Sequence, residues 1–302
     1  MKINNNILKL ITITIIISGF TNAQSKINVN HLLDYGGLKY MANSDKPFNG
    51  KVFELYDNGR KHWEKRYVKG IANGYYRSWY KNGQVEFKGR LKKGVKIGLF
   101  TYYNENRKKI KEAHYKDDIL HGPFVQWYTN GTKNIECSYQ YGNLNTQYTS
   151  WYENGQTQEI TTYNNGKLIG EFTYWYENGN TKAKGTYVHG SLDGKYSAWT
   201  AEGNKLYEKS FESGQLHGIS ISWYDNGNKK EETNYSSGTM NGLASTWAQN
   251  GHLEQQIHYK NDILDGASIF WYANGSKKSE INYRDGGLNG PFVHWYENGQ
   301  KQ

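Results

Sequence analysis

The chain has 302 residues, a formal net charge of +9, 27 Tyr, 10 Trp, 10 Phe, 34 Gly and a single Cys. One cysteine excludes an internal disulfide framework, and so many aromatic rings exclude the composition of a disordered chain. Length alone would suggest one or two globular domains.

The first 23 residues read as a targeting segment. Lys2 and Lys9 precede or flank the apolar run ILKLITITIIISGF (7–20), and Thr21-Asn22-Ala23 supplies small residues before Gln24. A charged start, a short apolar middle and a small-residue end are the parts of a signal peptide; an uncleaved anchor helix is the alternative. Cleavage predicts an exported chain, periplasmic, in the outer envelope or secreted. With no lipobox cysteine directly after the signal it is not expected to be a lipoprotein. Lys2 and Lys9 leave with the segment, which holds no acid, so +9 becomes +7. Residues 24–54 are expected to form a capping segment with the first strands.

From residue 55 to 302 a period of 24 governs the chain. One aromatic slot holds Trp79, Tyr103, Trp127, Trp151, Trp175, Trp199, Trp223, Trp247, Trp271 and Trp295, with Leu55 at its head. Counting that slot as position 1, Asn-Gly fills positions 4 and 5 in most units, as in Asn130-Gly131 and Asn154-Gly155, and Asn106-Arg107 and Glu202-Gly203 depart from it. Position 13 is mostly aromatic, positions 16 and 20 mostly glycine, and position 18 mostly leucine. Self-similarity at this period is the signature of a repeat architecture.

Asn-Gly between aromatic and β-branched residues predicts a hairpin, and frequent glycine opposes helix. Positions 21 to 2 and 6 to 13 are the expected strands, with a wider turn over 14 to 20. The fold expected is all-β: an elongated antiparallel meander of stacked 24-residue hairpins, about twenty strands in a single twisted sheet, growing by roughly 10 Å per unit. Positions 9, 11 and 13 lean apolar (Ile135, Cys137, Tyr139), whereas 10 and 12 are polar (Glu136, Ser138), which marks one buried face. A two-residue turn would put the position-2 tyrosines on that face; a three-residue bulged turn would put the tryptophans there. The persistence of tryptophan favours the bulged turn.

The recurring unit, with WYENG at 151–155 and 175–179 and the opening GLKYMANSDKPFNGKVFELYDNG at 37–59, resembles the MORN repeat. It is more similar to the bacterial MORN-repeat-variant family, often labelled YwqK-like antitoxins, over about Leu33 to Gln302. The resemblance implies stacked hairpins, scaffolding or membrane contact, and, by family naming, antitoxin activity.

Lysine recurs at position 7, including Lys61, Lys109, Lys133, Lys205, Lys229 and Lys277. One slot repeated along one edge predicts a lysine row, either a guard against edge-to-edge pairing or a rail for anionic lipid or glycan. No nucleic acid partner is expected of an exported chain lacking a recognition motif. Binding is expected through the aromatic face and that row, with Trp127, Trp151, Trp175, Trp223, Trp271, Lys133, Lys229 and Lys277 as candidates, and a protein as the first partner class. No cofactor or metal site is expected: His121 and His217 share position 19 with Asn73 and Asp193, which suits a polar turn residue. No nucleophile elbow or phosphate loop occurs, and Cys137 fits a small buried slot. The expectation is a non-enzymatic exported interaction scaffold. A rival catalytic site would lie at the departing turns, Asn104 to Arg107 or Trp199 to Gly203.

Overall fold

The computed structural model describes residues 25–302; the predicted signal peptide, 1–23, lies outside the described residues. Among them are 27 strands, with one 3-10 turn, Val29–His31. Twenty-five strands form one continuous sheet, and Leu32–Tyr35 with Leu38–Met41 form a separate hairpin. Neighbours pair antiparallel in chain order, except that Lys26–Asn28 lies parallel to Gly50–Leu55. The strand number exceeds twenty because some strands are split, as at Asn143–Leu144 and Thr146–Trp151, and because the first residues add their own. At that end Leu32, Phe48 and Val52 are buried together, flanked by Ile27, Val29, Trp63 and Tyr67.

The two kinds of turn differ from the expectation in an informative way. No wide turn spans positions 14 to 20. Gln140 pairs with Asn143 across Tyr141-Gly142, whose φ values are 48° and 84°. Two left-handed residues closing a hairpin make a type I′ turn, whose twist matches that of the strands. The next strand therefore starts at position 17, as in Lys167–Trp175. The position-20 glycine sits inside the strand, where the register shifts between Leu120 and Phe124, so it marks a bulge and not a turn.

At Asn-Gly the turn is the bulged one. The Tyr128 N–H donates to the Thr132 carbonyl at 2.9 Å, and the Gly131 N–H to the Tyr128 carbonyl at 3.0 Å. Gly131 is left-handed at 97°, whereas Asn130 keeps a negative φ. That is a three-residue turn ending in a glycine bulge.

The faces nonetheless come out opposite to expectation for the tryptophans. Gln126 pairs with Ile135 but Trp127 with Lys133, so Asn134 is the extra residue of a bulge. The bulge lies inside the return strand, before position 9, so it shifts position 7 and leaves position 1 unmoved. One face carries positions 22, 24, 9, 11 and 13. The other carries 21, 23, 1, 7, 10 and 12, tryptophans included.

The first face is the core. Phe100 and Phe172 at position 22 are 0% and 2% exposed, and Ala113, Cys137, Thr161 and Thr233 at position 11, with Ala183 at position 9, are buried. Rings from neighbouring units meet, as with Phe100 and Tyr115 at 5.3 Å and Phe172 and Tyr187 at 4.8 Å. Small residues at position 11 give those rings room, which is how a thin sheet buries apolar area without a second layer. Cys137 occupies this core as expected, and burial pushes its thiol up to about 11.

Candidate functional site

The tyrosine, asparagine and glycine of the recurring pentapeptide each have a physical task. Tyrosine at position 2 donates its hydroxyl to the position-1 carbonyl of the next unit: Tyr128 to Trp151 at 2.9 Å, Tyr152 to Trp175 at 2.8 Å, Tyr272 to Trp295 at 2.9 Å. Asparagine at position 4 works in both directions. The Asn154 Oδ1 accepts from the Gln156 N–H at 2.9 Å, and its Nδ2 donates to the Glu177 carbonyl at 3.0 Å. On the opposite side, position 19 accepts from the position-15 N–H of the next unit. Asn73, Asn145 and Asp193 do so, as does His121 through Nδ1 to Tyr141 N at 3.4 Å. The varied polar slot is thus an inter-unit hydrogen-bond acceptor.

The tryptophan face carries a second ladder. Lysine at position 7 pairs with glutamate at position 10 of its own unit: Lys133–Glu136 at 2.7 Å, Lys229–Glu232 at 2.6 Å and Lys277–Glu280 at 2.9 Å. The same ammonium lies over the indole of the following unit, Lys133 over Trp151 at 5.5 Å, Lys229 over Trp247 at 5.0 Å and Lys277 over Trp295 at 5.5 Å. The lysines do form a row, but it runs across a sheet face, and from Lys61 to Lys277 each is paired with an acid. Exposed pairs of this sort contribute only ~0.2–1 kcal/mol each, so their regularity matters more for surface character than for stability.

Of the candidate residues, Trp127, Trp223 and Trp271 are strand partners of Lys133, Lys229 and Lys277, and only Lys133 and Trp151 form a cation–π pair with each other. Trp127 and Trp223 lie under Lys109 and Lys205 at 4.2 and 5.0 Å. Trp175 and Trp271 follow units with Thr157 and Leu253 in the lysine slot. The position-10 glutamates escaped the sequence reading, although the recurring Lys-x-x-Glu across a bulged strand was the available signal.

The ladder lacks its lysine at Val85, at Thr157 with Thr181, and at Leu253, and hollows open at the first two of these breaks. In the unit opened by Trp79, Val85 stands at position 7 and Lys88 at position 10. There a hollow of about 410 Å³ is lined by Glu64, Tyr75, Arg77, Lys88, Arg90, Leu99 and others. Burial alone would raise the Glu64 carboxyl, but hydrogen bonds from Lys61 and Tyr75 and the charges of Lys61 and Lys26 prevail and hold it at about 2. The second break comprises two hollows in successive units. One, of about 400 Å³, is lined by Gln156, Thr157, Ile160 and Trp175, and the other, of about 300 Å³, by Asn180, Thr181, Lys184 and Trp199.

At the departing turns the chain keeps its hairpin. Asn104 accepts from the Asn106 and Lys108 N–H groups at 3.0 Å each, and Arg107 takes the left-handed place of glycine at 66°. Trp199 and Gly203 border the smaller of the two hollows, which no carboxylate or histidine lines. Among the described residues no group of three His, Cys, Asp or Glu side chains has metal-holding geometry.

Hairpins that repeat without insertion, each stapled to its neighbour by the same residues, define a β-hairpin repeat protein. The family described as "MORN repeat variant" matches residues 72–93, 120–141, 144–165, 168–189, 216–237, 240–261 and 264–285, and the chain belongs to it. The matches skip 96–117 and 192–213, which hold the two departing turns, though both keep the regular strand pairing. No curated protein matches the chain. Solved structures that resemble it include "Crystal Structure of TcdB2-TccC3", at 10% identity and a TM-score of 0.18, over 78% of this chain and 18% of that one. Another is the Photorhabdus luminescens Tc holotoxin pore, at 12% identity and a TM-score of 0.19, over 89% of this chain and 17% of that one. The chain spans less than a fifth of those molecules, and a likeness this low brings nothing about activity or partners to this chain.

Proposed function

We propose that the chain is an exported, non-enzymatic scaffold that binds a protein partner in the cell envelope through its tryptophan face. The observation that carries this reading is the division of labour between slots. Positions 2, 4, 19 and 22 hold units to one another or build the core, whereas the tryptophans, with positions 7 and 10, present a regular aromatic and ionic surface. Rigid rings beside charges suit protein recognition. The leader-like residues 1–23 support export and weigh against an intracellular antitoxin role. The basic hollow at Arg77, Lys88 and Arg90 favours a second reading, an anionic lipid headgroup bound at that end. Gentle extraction of the envelope fraction, followed by co-purification and identification of what accompanies the chain, tests the proposal. A stoichiometric protein companion is expected; a chain that emerges alone, or stays in the cytoplasm with its leader intact, overturns it.

A further inference from the structure

Wherever lysine occupies position 7 before a tryptophan, its ammonium caps the next indole, in six pairs from Lys61–Trp79 to Lys277–Trp295. Thr157 and Thr181 stand in that slot in two consecutive units, and a threonine is too short to reach the ring. The result is the same hollow twice, about 400 Å³ at Trp175 and about 300 Å³ at Trp199. Each has an indole wall and a polar rim: Gln156 and Thr157 in the first, Asn180, Thr181 and Lys184 in the second. An indole beside amide and hydroxyl groups is the chemistry that takes a sugar ring, with C–H bonds on the ring face and hydroxyls on the polar rim.

The spacing strengthens the case. Equivalent positions of successive units are two strands apart, ~10 Å, which is the spacing of alternate rings in a linear pyranose chain. Lys184 adds a charge preference. At position 10, where six other units carry glutamate, it lines the second hollow with its ammonium over the Trp199 ring, 5.6 Å from the centre, and a bound sugar ring would draw that ammonium off the indole. Lys184 also borders an adjoining hollow of about 230 Å³ with Glu171, Thr173, Thr186 and Lys195. A cation there favours a carboxylate on the ring stacked at Trp199.

We propose that Trp175 and Trp199 form a paired subsite for a linear acidic oligosaccharide, two alternate rings stacking on the two indoles with a carboxylate toward Lys184. This rests on the reading of the tryptophan face as a binding surface and gives two units of it a ligand class.

The test measures binding to the full chain by calorimetry with three probes: a hyaluronan tetrasaccharide, a chitin tetrasaccharide, and vesicles of phosphatidylglycerol with phosphatidylcholine. The key variant is Thr157→Lys with Thr181→Lys, which installs the lysine cap that other units already carry and so leaves the hairpins intact. Hyaluronan is expected to bind more tightly than chitin and to weaken at least tenfold in the double-lysine variant. Lys184→Gln is expected to erase the preference for hyaluronan over chitin. Absence of saccharide binding at millimolar concentration overturns the proposal. So does undiminished binding in the double-lysine variant, or vesicle binding that alone responds to it. If saccharide binding fails while a protein companion still co-purifies, this inference falls and the scaffold reading stands; if neither is found, both fall.

Discussion

Gly89 lies beneath Phe100, and a Cβ built on it would come within 2.5 Å of that ring. At Gly185 the same slot is slightly roomier, with the Phe172 ring 2.9 Å away. Overpacking a closed core forces rings off their preferred angles and costs ~1–3 kcal/mol. Gly89→Ala should therefore lower the melting temperature, and by more than Gly185→Ala; equal effects from both would show that the rings move freely. A second residue sets an acid limit. Glu64 bonds Lys61 at 2.8 Å and Tyr75 at 2.8 Å and pairs with Lys26 at 3.4 Å, tying the first strand to the first hairpin. Its carboxyl is held at about 2 instead of the ordinary 4.5. The stabilisation is therefore complete above pH 4.5 and is lost as the pH falls from there towards 2. Allowing for solvent around the exposed lysines, its size is ~1–2 kcal/mol. Denaturant titrations across that interval should show a slope in the parent chain and a flatter one in Glu64→Gln. Parallel slopes would remove Glu64 from the account.

At the scale of the hairpin, the tight turn lies at positions 15 and 16, where its first residue must be left-handed whatever its type. His189 is exposed with φ at 51° ahead of Gly190. A left-handed conformation costs an ordinary residue ~1–2 kcal/mol, and asparagine bears it more easily. His189→Asn should thus stabilise the chain by ~0.5–1 kcal/mol, read as a higher denaturant midpoint with unchanged slope; a lower midpoint would contradict the turn assignment. The sequence disclosed the period, the hairpins and the bulged turn, because glycine and asparagine recur in fixed slots. It concealed the tight turn because that turn holds Lys69, Lys93, Tyr141, Asn165 or Ser213, residues with no shared turn signature. It concealed the tryptophan face because the extra residue of the bulge, Asn134, is not marked by any residue type. The candidate site was legible in its residues and not in its partners. Lys133 and Trp151 were both visible, but that the lysine reaches forward to the next unit depends on strand order.

Across the whole molecule the staples run only between neighbours, so stability should add unit by unit. Deleting residues 151–174 joins Ser150 to Trp175, and position 24 is again followed by position 1. Each broken bond then has a replacement of the same kind. The Tyr128 hydroxyl, which donates to the Trp151 carbonyl, meets that of Trp175; Asn130, which donates to the Glu153 carbonyl, meets that of Glu177. The Gly190 N–H, bonded to the Leu168 carbonyl in the parent, meets that of Leu144. On the core face Phe124 and Cys137 remain paired, and Ile135, whose partner is Ser150, keeps it. Deleting residues 151–162 joins Ser150 to Tyr163 instead, setting position 24 against position 13. The pentapeptide turn is lost, and Tyr128 and Asn130 lose the position-1 and position-3 carbonyls that they hold. The whole-unit deletion should melt within a few degrees of the parent in a single transition. The half-unit deletion should melt in stages and be cut by protease near the junction. Equal collapse of both would mean that the sheet folds as one indivisible body and that nearest-neighbour stapling does not describe it.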